Sequence, residues 1–347
     1  MNADIYALSI SGALAANTNT SVSQGSSNPL TITGAGAGTG NIIRNITQAK
    51  IENKSITTAN ILNLKVEDTS KINADIGGAA ISLSNGSGSG GNSAGQYSVA
   101  VGVAIAQNTI NNNLQAVISN STVDAKNNLS VISNSNAEIE ALALSLAVAA
   151  SNPFSGGSGE SISVSGAGAG TYNQIDNIVE STITNSAVKV GGNLTINATD
   201  NSKITADAGG GSINIAAGTN AIATGVGAAV AENEIGKKGH RVSALIDNSK
   251  VAVTGTTTIN SNFTGKIDAL AISAALSGSK GTGTSASLSG AGSATYNKIR
   301  VTTEAQVKNN SRLTTTSLTM NAVDSSTILG DAGGLSVAFA LGNDVRQ

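Results

Sequence analysis

The chain has 347 residues, of which 39% are hydrophobic, 12% charged and 2% aromatic, with 41 Gly, two Pro and neither Cys nor Trp. The charges sum to −2, which excludes the basic surface that nucleic acid needs, and the missing Cys excludes disulfides and thiolate metal sites. So few large side chains cannot fill a conventional compact core, yet the regular recurrence of Ile, Val, Leu and Ala argues against disorder.

Residues 1–16 carry no basic stretch ahead of an apolar one, so no signal peptide is read there. No run of about 18 apolar residues occurs that would form a membrane-spanning helix. A repeat opens almost at once. Ile5 begins the string IYALSIS, and the same anchor returns at Ile72, Ile139, Ile204, Ile267 and Ile328, at intervals of 67, 67, 65, 63 and 61 residues. Two flavours alternate. Small and aliphatic residues follow Ile5, Ile139 and Ile267, whereas Asp and Gly-Gly follow Ile72, Ile204 and Ile328. The larger unit is therefore a pair of about 130 residues, placed at 1–29 (partial), 30–161, 162–287 and 288–347 (partial) within a single segment, 1–347.

Two further anchors keep the same beat. An Asn after a Gly/Ala run stands at Asn41, Asn108, Asn173, Asn233 and Asn297, and a second Asn row at Asn53, Asn120, Asn185, Asn248 and Asn309. Twelve residues separate the two rows in every copy except Asn233 to Asn248, where Gly236–His240 is inserted. Three anchors in phase make the repeat the strongest signal in the chain.

Within each unit apolar and polar residues alternate, as at Leu194, Ile196 and Ala198, which is the period of strands with one buried face. Strands of about 5–8 residues are expected, bounded by Asn, Gly, Asp and Ser. Ala141–Ala150 is apolar on too many sides to separate strand from helix. Gly/Ser-rich loops are read at Asn85–Ala94, Ser155–Ser161 and Ser277–Ser287. The pattern predicts an all-β, elongated parallel β-solenoid, with right-handed winding as the default for parallel crossovers. A coil of about 20–30 residues, from three strands plus turns, would put two or three coils in each repeat. Ile and Asn ladders would then replace a jigsaw core, with stacked Asn bonding side chain to side chain.

The string SVSGAGAGTYNQI (Ser163–Ile175) recurs as TITGAGAGTGNII from Thr31 and SLSGAGSATYNKI from Ser287. With Asn185–Gly210 and Ala223–Gly236 it resembles the repeat region of large bacterial filamentous adhesins, of the leukotoxin-like and filamentous-haemagglutinin kind. The resemblance covers nearly the whole chain. It implies a secreted or cell-surface β-solenoid stalk used in attachment or biofilm, without enzymatic activity. The partners expected are the neighbouring repeats, host glycans or surface proteins and, because no amphipathic cap is read at either end of the ladders, further copies stacked end to end.

Candidate chemistry is sparse. Asp75, Asp207 and Asp331 follow the Ile anchor in alternate units and read as turn residues; lying about 130 residues apart, they are expected several coils from one another, beyond the reach of a catalytic pair. Asp4, Glu138, Glu140 and Asp268 form a less regular set of the same kind. His240 is the only His and is expected, with Lys237, Lys238 and Arg241, on an exposed basic loop. One His without Cys assembles neither a metal site nor a nucleophilic triad, so no catalytic residue, cofactor or metal is assigned. The string Gly86-x-Gly88-x-x-Gly91 lacks the strand–helix context of a phosphate loop. Contact residues are expected on the loops, at Asn85, Asn92, Ser155 and Ser158, and at Lys237, Lys238, His240 and Arg241. Two other functions are carried forward. A β-helix polysaccharide lyase or hydrolase would need clustered acids. An ice-binding solenoid would use Thr256–Thr258 and Thr314–Thr316, read as equivalent strands.

Overall fold

The computed structural model describes residues 2–19, 28–54, 57–86, 95–152, 159–237 and 239–346. Alternation of inward and outward residues makes strand almost everywhere, and the described residues contain no helix. The first coil holds five strands: β1 (Asp4–Asn19), β2 (Leu30–Ile43), β3 (Ile46–Glu52), β4 (Thr57–Ala59) and β5 (Leu62–Asp68). The same five recur through four more coils, and Thr327–Leu341 and Asp344–Arg346 add a sixth layer in the β1 and β2 positions. Every strand pairs in parallel with its equivalents in the layers above and below. Five sheets result: six strands each at the β1 and β2 positions, five each at β3, β4 and β5. The molecule is a parallel β-solenoid.

The register is that of the repeat. Ile5, Ile72, Ile139, Ile204, Ile267 and Ile328 are successive partners in the β1 sheet. One repeat is thus one coil, which corrects the expectation of two or three. The estimate failed because it assumed short strands, whereas strands at the β1 and β2 positions run to 16 residues. Runs such as SVSGAGAGTYNQI hold small residues on the inward side and no turn signal that would end them. Ala141–Ala150 lies within one such strand, Glu138–Ser151. Ser277–Ser287, read as a loop, is mostly strand too. Pairing continues through Gly281 and resumes at Thr284, leaving a two-residue turn.

The two long strands divide the cross-section. The start of β1, the end of β2 and all of β3, β4 and β5 enclose the main core. In the second coil it is built from Ile72, Ala74, Ile76, Ala104, Ala106, Ile110, Leu114, Ile118, Val123, Leu129 and Val131. Ile72, Ile139, Ile204 and Ile267 are fully buried there. The remaining halves of β1 and β2 pack directly on each other as a flat flange, with Ala35, Ala80, Ala100, Ala147, Ala149 and Ala167 between them. The flange is thin because only Gly, Ala and Ser point inward at its closest part. A Cβ on Gly78 would lie 2.4 Å from the Val103 carbonyl oxygen, and one on Gly210 would lie 2.2 Å from that of Ala228.

The Asn rows hold the corners. Asn41 donates from Nδ2 to Asn108 Oδ1, Asn108 to Asn173, Asn173 to Asn233 and Asn233 to Asn297, each at 2.8 Å. This is the side-chain ladder expected from the sequence. The second row, Asn53, Asn120, Asn185, Asn248 and Asn309, turns the chain from β3 toward β4 with φ between 46° and 58°. Asn tolerates that left-handed conformation better than any residue but Gly, which is why each coil spends one there.

Candidate functional site

Because each coil is one repeat, the alternating flavours of the sequence become alternating rows on the surface. On the outer face of the β1 sheet, one column along the axis reads Ile10, Gly77, Leu144, Gly209, Ile272, Gly333. The adjoining column reads Leu8, Asp75, Leu142, Asp207, Leu270, Asp331. The β2 sheet shows the opposite phase: Gly34, Val101, Gly166, Val226, Gly290. In the Ile10 and Gly34 columns, odd coils therefore carry a large aliphatic residue on one face of the flange, and even coils on the other. Ridges recur every two strands, about 9.6 Å. They stand in water: Leu144 and Ile272 are each 50% exposed.

The same register relocates the acids. Asp75, Asp207 and Asp331 are two coils apart, about 9.6 Å between strands, and not several coils as expected from their spacing in the chain. Asp268 lies on the coil next to Asp207, two positions along the strand. Burial, and then the charge of Asp268, raise the Asp207 carboxyl above the ordinary Asp range. Nearer the strand start, Lys71 and Lys203 flank Glu138 at 3.2 and 2.8 Å, and Lys71 also reaches Glu140 at 2.9 Å. Burial works to raise the Glu138 carboxyl, but the two lysines outweigh it and hold it below the usual range.

A polar groove of about 670 Å³ follows the β3–β4 corner across five coils, from Asn53 to Asn310. It is lined by Asn53, Asn120, Asn185 and Asn248, by Ser121, Ser186 and Ser249, and by Lys54 and Lys250. The three serine hydroxyls donate to backbone carbonyls of Ser119, Thr184 and Asp247, each at 2.7 Å, which leaves the two lysines as the charged groups of the groove.

His240 is buried, with 2% of its surface exposed, and does not belong to an exposed loop as expected. It occupies an Asn position. The Asn45 N–H donates to Asn112 Oδ1 at 2.9 Å, the Asn112 N–H to Asn177 Oδ1 at 3.0 Å, and the Asn177 N–H to His240 Nδ1 at 3.0 Å. With Nδ1 accepting, the ring proton falls on Nε2. Nε2 lies 2.8 Å from Asp200 Oδ2, though not in the alignment of a full hydrogen bond. The other carboxylate oxygen accepts from the Ser202 hydroxyl at 2.6 Å. Two coils earlier Asn112 donates to the buried Asp68 at 2.7 Å in the same way. The sequence signal for this role was present: His240 follows Gly236 at the place where the first three coils have Asn45, Asn112 and Asn177, but the inserted residues hid the alignment.

The rest of the inserted segment splits. Lys237 donates to the Tyr172 hydroxyl at 2.6 Å and lies 5.2 Å from that ring's centre. Arg241 pairs with Glu180 one coil away. Lys238, Asn92, Ser155 and Ser158 lie outside the described residues, as does most of the Gly86–Gly91 string. Asn85 continues a strand as the partner of Thr18. Thr256–Thr258 pair with Ser317, Leu318 and Thr319, while Thr314 pairs with Ala252, so the two Thr runs are not equivalent strands. No group of three or more metal-ligating His, Cys, Asp or Glu side chains occurs among the described residues, and these residues contain no helix long and apolar enough to cross a membrane.

Compared with models of known protein families, with curated proteins and with solved structures, the chain matches none.

Proposed function

We propose that this chain is a rod-forming stalk and binding segment of a secreted or surface-displayed bacterial adhesin, serving attachment or biofilm cohesion. The observation that supports it is the unbroken in-register stacking of every sheet through all layers. Backbone hydrogen bonds run along the rod axis in five parallel ladders, so a pull along the axis loads all of them together. A repeat of one coil also lets the same surface recur at every level. The Asn/Ser groove at the β3–β4 corner, with Lys54 and Lys250, suits hydroxyl-rich or anionic polymers such as glycans. Beads coated with the chain should attach to glycan-coated surfaces above the level of beads coated with an inert protein. Attachment that equals the inert control on glycan, host-protein and bacterial surfaces alike would overturn the reading.

One observation favours a second reading, a carbohydrate-active β-helix enzyme: Asp207, with its raised carboxyl, and Asp268 stand on adjacent coils of one face. Incubation with acidic and neutral polysaccharides would then release reducing or unsaturated ends, and Asp207→Asn would abolish the release.

A further inference from the structure

We propose that two copies of this chain dock through the outer face of the β1 sheet, with their long axes opposed and the aliphatic rows of each copy seated in the glycine rows of the other. Four adjoining columns of that face, six layers deep, hold only apolar residues. Beside the Ile10–Gly333 column, a second column is aliphatic in every layer: Leu14, Ile81, Val148, Ile213, Leu276 and Val337. The Asp75, Asp207, Asp331 column bounds the patch on one side and Lys280 on the other.

Size argues that something covers this face. Six layers at about 4.8 Å, by four columns at about 6.6 Å, give an area of roughly 760 Å². The largest apolar patch on an ordinary monomer is about 300–600 Å², and a stable interface buries about 800 Å² on each partner.

Shape argues for a second copy. Consider a two-fold axis parallel to the strands, midway between the third and fourth layers. It places layer 3 on layer 4, layer 2 on layer 5 and layer 1 on layer 6, and it keeps each column facing itself. In the Ile10–Gly333 column odd layers carry the ridges and even layers the glycines, so each ridge of that column meets a groove. Leu144 meets the partner copy's glycine row at layer 4, Ile272 that at layer 2, and Ile10 that at layer 6. A two-fold axis along the rod through the Ile10–Gly333 column would instead set the ridges of that column on one another. Where that column faces itself, its alternation therefore selects opposed axes, in an isologous contact that closes as a dimer. A lipid surface would ask only for apolar area; it would not use a two-coil alternation in register across six layers.

Sedimentation velocity over about 1–100 μM should show a monomer–dimer equilibrium. Leu144→Lys with Ile272→Lys should weaken it at least a hundredfold. So should Gly77→Leu with Gly333→Leu, which fills two grooves at positions where an added Cβ meets nothing in its own copy closer than 3.9 Å. Val101→Lys with Val226→Lys, on the opposite face, should leave it unchanged. The chain has no Cys, so single cysteines can be placed freely. Mixing an Ile81→Cys chain with a Leu276→Cys chain and adding a short bismaleimide should give the mixed dimer. Both positions lie in inner layers, so end-to-end stacking would not bring them together. A monomer at all concentrations, a dimer indifferent to both β1-face variants, or Ile81→Cys chains that crosslink to each other in place of the mixed pair would each overturn the proposal. A monomer that floats with neutral phosphatidylcholine vesicles would overturn it in favour of a lipid surface.

Discussion

Gly209 and Gly210 are neighbours in one strand, yet alanine at the two positions should have opposite consequences. Gly210 points into the flange. A Cβ there would lie 2.2 Å from the Ala228 carbonyl oxygen, 3.0 Å from its carbon and 3.2 Å from its nitrogen. All three are backbone atoms of a strand hydrogen-bonded on both sides, so relief requires moving whole sheets apart. Overpacking typically costs 1–3 kcal/mol, and a contact with rigid backbone at this distance puts Gly210→Ala at about 3 kcal/mol or more. Gly209 points outward. Its nearest neighbour for a Cβ is Leu144 Cδ2 at 2.7 Å, the far end of a flexible, half-exposed side chain that can rotate away. Since glycine inside a strand costs about 0.5–1 kcal/mol of chain entropy, Gly209→Ala should fall within about 1 kcal/mol of the wild type and on the stabilising side if Leu144 turns freely. The pair is best compared by guanidinium unfolding together with hydrogen exchange over residues 203–235, because a stacked-repeat chain opens locally before it unfolds as a whole. Equal effects at the two positions, or a larger loss at Gly209, would refute the direct backbone approach of the two sheets.

Three further outcomes are expected. His240→Asn should cost no more than about 1 kcal/mol, because it restores the ladder residue found at Asn112 and Asn177; His240→Ala should cost about 3 kcal/mol, since the buried Asn177 N–H loses its acceptor and Asp200 Oδ2 loses the ring nitrogen beside it. Thermal melting of the two variants side by side checks this. Asn185→Gly should melt closer to wild type than Asn185→Ala by about 1 kcal/mol, because φ there is 48°. A proton binds Asp207 more tightly in the folded chain than in the unfolded one, so the ionised carboxylate opposes folding above its folded pKa. Asp207→Asn should therefore stabilise the protein at neutral pH, and the gain should vanish as the pH falls below the unfolded Asp value of about 3.9. A gain that persists unchanged at pH 3 would refute the titration argument.

What could be read from the residues, and what could not, follows from range. The Ile anchors and both Asn rows were legible because parallel in-register stacking places like on like, so sequence period and spatial period coincide. The number of coils per repeat was not legible. It depends on whether a run such as Ser163–Ile175 bends or runs straight, and alternation looks the same in both cases. Straightness comes from the facing sheet: Gly and Ala on each side let β1 and β2 lie flat together, a contact no local pattern announces. The error about coils carried over to the acids. Asp75 and Asp207 are 132 residues apart in the chain and only two strands apart in space. His240 was misread for a related reason. Basic neighbours suggest an exposed loop, but its burial is set by the Asn column it joins, and the Gly236–Gly239 insertion shifts that column out of phase.

The two-coil alternation also separates what the backbone requires from what the surface selects. A solenoid with one coil per repeat needs only inward residues to match from layer to layer. The inward columns do match: Ile72, Ile139, Ile204 and Ile267 are one row, and Ala74, Ala141, Ala206 and Ala269 another. Outward residues face no such demand, because a strand surface in water accepts any β-former. Yet the outward column at Leu144 keeps strict aliphatic–glycine alternation over all six layers, and the β2 sheet keeps the same alternation in opposite phase. Part of this serves the rod itself, because Leu144 Cδ2 already leans over Gly209 and the Phe339 ring over Gly278. These contacts give a reason for the glycines beside Leu144 and Phe339. They leave the half-exposed crests of Leu144 and Ile272 in water, at a cost of about 25 cal/mol for each Å² of apolar surface left unburied. Covering those crests is what a ridge-into-groove contact between two such faces accomplishes.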